Sequence, residues 1–209
     1  MKNNTTELIF ILDKSGSMAG LESDTVGGFN ALIEKQKKIE GEAFVSTVLF
    51  SDKSYVLHDR VPIGEIKPLT EDDYQVGGCT ALLDALGDAM HHIKTIHKYI
   101  RKEDVPEKTM FVITTDGMEN ASRKYNFREV KKMIQTYEEK YGWEFLFVAA
   151  NIDAAETAES IGISKERAAN YRATEKGTKK MYAAVADAVC SMRMHAPLSA
   201  NWSEGLDEE

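Results

Sequence analysis

The 209-residue chain carries 34 Asp and Glu against 26 Lys and Arg, a formal net charge of −8 with pI near 5.3. That balance excludes nucleic acid and anionic membrane as default partners, since both need a basic face. Length and a 43% hydrophobic content suit one α/β domain with a substantial core.

The opening residues Met1 to Glu7 contain no apolar signal-peptide core, and the run Leu8 to Leu12 is too short to cross a membrane. With only Cys79 and Cys190 present, the expectation is a cytoplasmic protein with reduced thiols. The apolar run predicts a first strand buried on both faces. It leads directly into Asp13-Lys14-Ser15-Gly16-Ser17.

A helix follows to about Ile39, with Val26, Phe29, Leu32, Ile33 and Gln36 on one face. Gly27-Gly28 lower its helix propensity, and a close approach of a neighbouring backbone would account for them. Phe44 to Phe50 reads as a second strand. After the turn Ser51 to Ser54, Tyr55 to Val61 reads as a third, antiparallel at the sheet edge because so short a connection demands a hairpin.

Gly77-Gly78-Cys79-Thr80 opens a helix from Ala81 to about Lys98. Tyr99 to Lys108 reads as a surface connection. Thr109 to Thr115 is a strand ending on Asp116. Asn126 with Glu129 predicts a capping box for a helix that Gly142 stops near Tyr141. Trp143 to Ala150 is another buried strand. Asp153 with Glu156 predicts a second capping box, and Ala168 to Ala173 a small edge strand. A last helix runs from about Glu175 to Met194, with Met181, Tyr182, Val185, Val189 and Met192 inward. The pattern predicts a doubly wound, mostly parallel six-stranded sheet with one antiparallel edge strand and helices on both faces. Residues 1–195 form one domain, and 196–209 a polar acidic tail expected to be mobile.

Taken singly, Asp, Ser, Thr and Gly are ordinary turn and capping residues. Together, Asp13-x-Ser15-x-Ser17, Thr80 and Asp116 lie at the strand ends that a parallel sheet gathers at one crevice. They make an all-oxygen donor set, the chemistry Mg²⁺ prefers.

Asp13-Lys14-Ser15-Gly16-Ser17, Gly77-Gly78-Cys79-Thr80 and Thr115-Asp116-Gly117 match, in order, the three parts of the metal-ion-dependent adhesion site (MIDAS) of von Willebrand factor A (vWA, integrin I-like) domains. From about Leu8 to Met194 the chain resembles that family, and within it the bacterial stand-alone type. The resemblance implies that Ser15, Ser17 and Thr80 supply hydroxyls to a cation and that Asp13 and Asp116 are its carboxylates, often acting through waters. Mg²⁺ is the implied ion, with Mn²⁺ or Ca²⁺ as substitutes. The implied function is non-catalytic: the cation takes a Glu or Asp carboxylate from a protein partner. Gly16 and Gly78 are expected to turn the backbone tightly around the ion. Cys79 stands where the family most often has Gly or another small residue, and reads as a small buried side chain. Lys14 is read as solvated.

Asp84, Asp88 and His92 share a helix face and read as a solvated stripe rather than a second metal site, with Asp84 near enough to Thr80 to support it. Glu119 and Asn120 fall at the rim of the site or serve as turn and capping groups. A metal-dependent hydrolase using Asp13 as nucleophile is the competing reading. Against it, position 15 is Ser rather than Asp, and no general base is tied to the motif. Neither a Walker-type phosphate loop nor Gly-x-Gly-x-x-Gly occurs. A metal-free scaffold is the third reading, opposed by the intact set of oxygen residues.

Overall fold

The structure, a computed structural model, describes residues 4–208. Strand β1 (Thr5–Asp13) is buried along its whole length. Its alternation divides the core in two. Leu8, Phe10 and Leu12 face helices α1 (Glu22–Gln36) and α5 (Glu175–Arg193). Ile9 and Ile11 face α2 (Leu82–Tyr99), α3 (Phe127–Tyr141) and α4 (Ala154–Ile161). A strand apolar on both faces needs both layers covered, which is why this segment sits at the sheet centre.

The remaining strands are β2 (Glu42–Phe50), β3 (Ser54–Pro62), β4 (Lys108–Thr115), β5 (Glu144–Ala149) and β6 (Ala168–Asn170). Their order is β3-β2-β1-β4-β5-β6, and only β3 runs antiparallel. The chain winds outward through β2 and β3, returns to the centre, and winds outward again through β4, β5 and β6. The reversal lies between β1 and β4, where a doubly wound sheet opens its crevice.

Local signals account for the element ends. Asn126 and Glu129 form the predicted capping box of α3, and Gly142 ends that helix in the left-handed region at φ 65°. At α4, Asp153 accepts the Glu156 N–H, one half of the box expected there. Helix α1 stops at Gln36, short of Ile39.

The Gly27-Gly28 pair has a different origin from the one expected. A Cβ on Gly28 would lie 2.3 Å from Cδ2 of Tyr182, so a side-chain ring on α5, not a backbone, requires the glycine. Nothing lies within 4 Å of a Cβ on Gly27.

Two features were not visible in the composition. Glu7 is fully buried between Arg60 and His97, at 2.5 Å from each. The segment after α5 is anchored at several points. Leu206 joins the α1–α5 core, Trp202 Nε1 donates to Glu166 O at 2.9 Å, and Arg172 Nε donates to Asp207 O at 3.0 Å. Leu198 and Trp202 of the same segment pack against that core as well. Both cysteines are free, and Cys79 is exposed rather than buried. Among the described residues no helix is long and apolar enough to cross a membrane.

Candidate metal centre

Asp13 ends β1 and Asp116 follows β4, so the two carboxylates flank the reversal point of the sheet. Thr115 Oγ1 spans the gap, donating to Asp13 Oδ2 at 2.6 Å. The other oxygen of Asp13 accepts the Ser15 N–H at 2.7 Å. Tyr74 OH donates to the Asp13 carbonyl.

Ser15 is buried, and Ser17 stands exposed in a short 3-10 turn, Gly16–Met18. Their hydroxyl oxygens are 3.1 Å apart. Ser17 Oγ also donates to Asp116 Oδ1 at 2.5 Å. A Cβ on Gly117 would lie 3.1 Å from Ser17 Oγ and 3.5 Å from Thr80 Oγ1. The Thr80 hydroxyl therefore reaches the same spot from the β3–α2 loop. The residues predicted from the sequence, Asp13, Ser15, Ser17, Thr80 and Asp116, are all brought to one end of the sheet.

Backbone bonds lock the three loops together. Gly16 N–H donates to Gly78 O at 3.0 Å, and Gly77 N–H to Lys14 O at 2.9 Å. Asn120 N–H donates to Thr80 O at 3.0 Å, and Asn120 Oδ1 accepts the Thr80 N–H at 2.9 Å. Gly78 meets the conformational expectation: its φ is +83°, and a Cβ there would collide with Asp52. Gly16 does not need left-handed freedom; its N–H is what holds the loop. Lys14 Nζ donates to Gln75 O at 3.4 Å in a solvent-exposed contact.

The electrostatics are those of buried carboxylates. Burial raises the Asp13 pKa above its ordinary value, against the hydrogen bonds from Thr115 and Ser15. Burial also raises that of Asp116; the Ser17 hydroxyl opposes the shift and the Asp13 charge adds to it. Asp116 Oδ2 is buried with no hydrogen-bond partner. An orphaned buried carboxylate oxygen is costly unless something outside the protein satisfies it. The set of two carboxylates and three hydroxyls fits a hard cation that keeps part of its water shell. Among the described residues, no three His, Cys, Asp or Glu converge as a softer metal would require.

Several supporting residues have partners that the sequence did not reveal. Glu119 accepts N–H groups from Leu83, Ala121 and Ser122, and so fixes the start of α2 to the β4–α3 loop. Asp84 does not join a metal cluster; it stays partly in water and accepts the N–H groups of Arg123, Lys124 and Tyr125. Burial works against its ionisation, but those donors outweigh it and lower its pKa. Asp88 pairs with Lys124, and His92 with Asp59 at 2.9 Å. The acidic residues of α2 thus brace the loop that follows β4. Thr115 belonged to the third motif and Asn120 was placed at the rim, but their bonds to Asp13 and Thr80 were not foreseen.

No family model and no curated protein matches the sequence. Among solved structures, proximal thread matrix protein 1 (PTMP1) from the mussel byssus is similar. It is 15% identical, over 91% of this chain and 47% of that one, with a TM-score of 0.59. A further structure of PTMP1, 14% identical with a TM-score of 0.59, is described as having a zinc-occupied MIDAS motif. A von Willebrand factor type A protein from Catenulispora acidiphila is 13% identical, over 90% of this chain and 43% of that one, with a TM-score of 0.57. The ArnB paralog VWA2 from Sulfolobus acidocaldarius is 16% identical, over 89% of this chain and 45% of that one, at 0.57. The chain spans about half the length of these structures. With its sheet order, its single antiparallel edge strand and these likenesses, the chain has the α/β fold of von Willebrand factor type A domains.

Proposed function

We propose that the chain is a divalent-cation-dependent protein-binding module, of the bacterial stand-alone vWA kind, acting in the cytoplasm. The observation that carries the reading is the oxygen cluster at the sheet's reversal point, together with the orphaned buried Oδ2 of Asp116. Ser15, Ser17 and Thr80 would hold the ion by neutral hydroxyls, and Asp13 and Asp116 would supply its charge directly or through water. Mg²⁺ is the proposed ion, replaceable by Mn²⁺ or Ca²⁺. The zinc-occupied MIDAS described for PTMP1 supports a divalent site in this fold. A cation held this way keeps enough positive charge to take a carboxylate from a partner's Glu or Asp.

The same geometry favours binding over bond breaking. Both oxygens of Asp13 are engaged as acceptors, by Ser15 N–H and by the Thr115 hydroxyl. A carboxylate so held orients its loop rather than attacking a substrate. Calorimetric titration of Mg²⁺ into chelator-stripped protein, beside Asp13→Ala and Ser15→Ala, tests the metal assignment. Binding is expected in the unaltered chain and is expected to be lost or strongly weakened in both variants; equal binding by all three overturns it. Capture of a protein partner that chelator abolishes tests the binding role.

A further inference from the structure

Every backbone polar group from the Asp13 carbonyl to the Gly16 N–H is held. Lys14 N–H donates to Phe50 O at 2.7 Å, Ser15 N–H to Asp13 Oδ1 at 2.7 Å and Gly16 N–H to Gly78 O at 3.0 Å. Lys14 O accepts the Gly77 N–H at 2.9 Å, and Ser15 O the Met18 N–H at 3.1 Å. The Asp13 carbonyl differs in its donor, which is a side chain, the Tyr74 hydroxyl. The peptide joining Asp13 to Lys14 is therefore pinned at both polar ends, its oxygen by Tyr74 and its N–H by Phe50.

Tyr74 is itself fixed. It is 1% exposed and packed in the α1–α5 core. The segment that carries it is tied down just upstream. Thr70 N–H and Oγ1 both donate to Asp73 Oδ2, at 3.0 and 2.6 Å. The Asn30 side chain on α1 takes both polar groups of Leu69, accepting its N–H at 2.8 Å and donating to its O at 2.9 Å. A continuous line of hydrogen bonds and packing thus runs from α1 through Leu69 and Tyr74 to the last carbonyl of β1.

The pinned peptide lies between Asp13 and Ser15, two of the five residues of the site. Its fixity limits how far their oxygens can draw back from an ion. Mg²⁺ takes oxygens at about 2.0–2.1 Å in near-ideal octahedral geometry, whereas Ca²⁺ needs about 2.3–2.6 Å and tolerates irregular geometry. A loop that cannot widen favours the smaller ion.

We propose that Tyr74 is a positioning residue that sets the preference of the site for Mg²⁺ over Ca²⁺, acting through the main chain of Asp13 and not on the cation. This rests on the metal-binding reading of the site. Phenylalanine fills almost the same volume, so Tyr74→Phe deletes the hydroxyl and leaves the packing.

The test titrates Mg²⁺ and Ca²⁺ separately into the chelator-stripped full chain by calorimetry, with thermal unfolding measured alongside. Tyr74→Phe is expected to weaken Mg²⁺ binding about tenfold, the lower end of the cost of losing a group behind a metal ligand. Ca²⁺ binding is expected to change less than about threefold, because a flexible shell absorbs the movement. Val189→Ala is the control for lost stability alone. Val189 is fully buried on α5 beside Cys190, whose sulfur meets Gln36 at the far end of α1. That variant is expected to unfold at lower temperature with its Mg²⁺-to-Ca²⁺ affinity ratio unchanged. An unchanged ratio in Tyr74→Phe overturns the proposal, as does an equal fall of the ratio in Val189→Ala. Should Tyr74→Phe not fold, Asn30→Ala, which frees the same segment at Leu69, decides in its place: a fallen ratio supports the proposal and an unchanged one overturns it. Absence of Mg²⁺ binding by the unaltered chain overturns the metal reading itself, and the role of Tyr74 with it.

Discussion

Ser17 Oγ lies 2.5 Å from Asp116 Oδ1, joining residues 99 positions apart across the reversal point of the sheet. That bond satisfies one oxygen of a buried carboxylate and leaves the other, Oδ2, without a partner. Folding energy has been spent on holding Asp116 in place with half its acceptor capacity unused. Such an arrangement is expected where a ligand completes the site.

The first prediction is an opposite effect of Asp116→Asn with and without metal. In chelator the substitution removes a buried charge and keeps an acceptor for Ser17, so stability is expected to stay level or rise. With Mg²⁺ at about a hundred times its dissociation constant, the unaltered chain gains ~2.7 kcal/mol, roughly 5–10 °C in melting temperature for a chain of this length. The variant is expected to gain little of that. Thermal unfolding of both proteins in Mg²⁺ and in chelator checks it, and a full Mg²⁺ response in the variant would count against Asp116 as a ligand.

The second prediction concerns pH in the metal-free protein. Burial raises the pKa of Asp13 and of Asp116. The folded state then holds these protons more tightly than the unfolded chain does. Their contribution to stability is present below the unfolded carboxylate value and is lost as pH rises through the raised folded values. Other carboxylates titrate in the opposite sense, so the useful quantity is a difference. Asp13→Asn with Asp116→Asn is expected to be stabilising relative to the unaltered chain at neutral pH, with the gap closing toward pH 4. Urea unfolding in chelator across that range measures it; a gap independent of pH would refute the burial penalty.

Much of this site could be read before folding because its residues are punctuation. Asp13, Thr80 and Asp116 each stand at a junction between a strand or turn and the next element, and the hydrophobic pattern places those junctions. What stayed hidden are partners set by tertiary geometry. Tyr74 reaches the Asp13 carbonyl from a loop with no periodic pattern. Asp84 looked like one member of an i, i+4 polar stripe, yet its acceptors are spent on amides 39 to 41 residues away. Glu7 fell just before the predicted first strand, since its burial depends on Arg60 and His97 arriving from β3 and α2. Leu198, Trp202 and Leu206 are isolated apolar residues in a polar, acidic stretch, too few to register as core.

The Glu7 group yields the third prediction. The Glu7 side chain is fully buried, while Arg60 keeps 18% of its side-chain exposure and His97 8%. Removing one partner of a buried pair costs about 3–5 kcal/mol when the remaining charge cannot reach water. Arg60→Met leaves the Glu7 charge in that position, whereas Glu7→Gln leaves Arg60 free to move toward solvent. Arg60→Met is therefore expected to be the more destabilising of the two, although Arg60 is the more exposed residue. Denaturant unfolding of both variants ranks them, and the reverse order would mean that the His97 contact alone suffices to hold the Glu7 carboxylate.

The last prediction separates two adjacent glycines of α1. Both have helical backbone and neither needs a positive φ. At Gly27 a methyl group meets nothing within 4 Å, so Gly27→Ala removes unfolded-state entropy without a clash and is expected to stabilise by about 0.5–1 kcal/mol. At Gly28 the same methyl would lie 2.3 Å from Cδ2 and 2.7 Å from Cγ of Tyr182. Tyr182 is only 3% exposed and is packed in the α1–α5 core, so its ring cannot swing aside without opening that core. Gly28→Ala is expected to destabilise by roughly 1–3 kcal/mol, the usual cost of overpacking. The two helices must part for the ring to be accommodated, so the variant is expected to lose near-UV dichroism from its tyrosines while its far-UV spectrum is kept. Equal effects of the two substitutions would mean that α1 and α5 are not held at the observed separation, and that the glycine pair reflects local helix propensity alone.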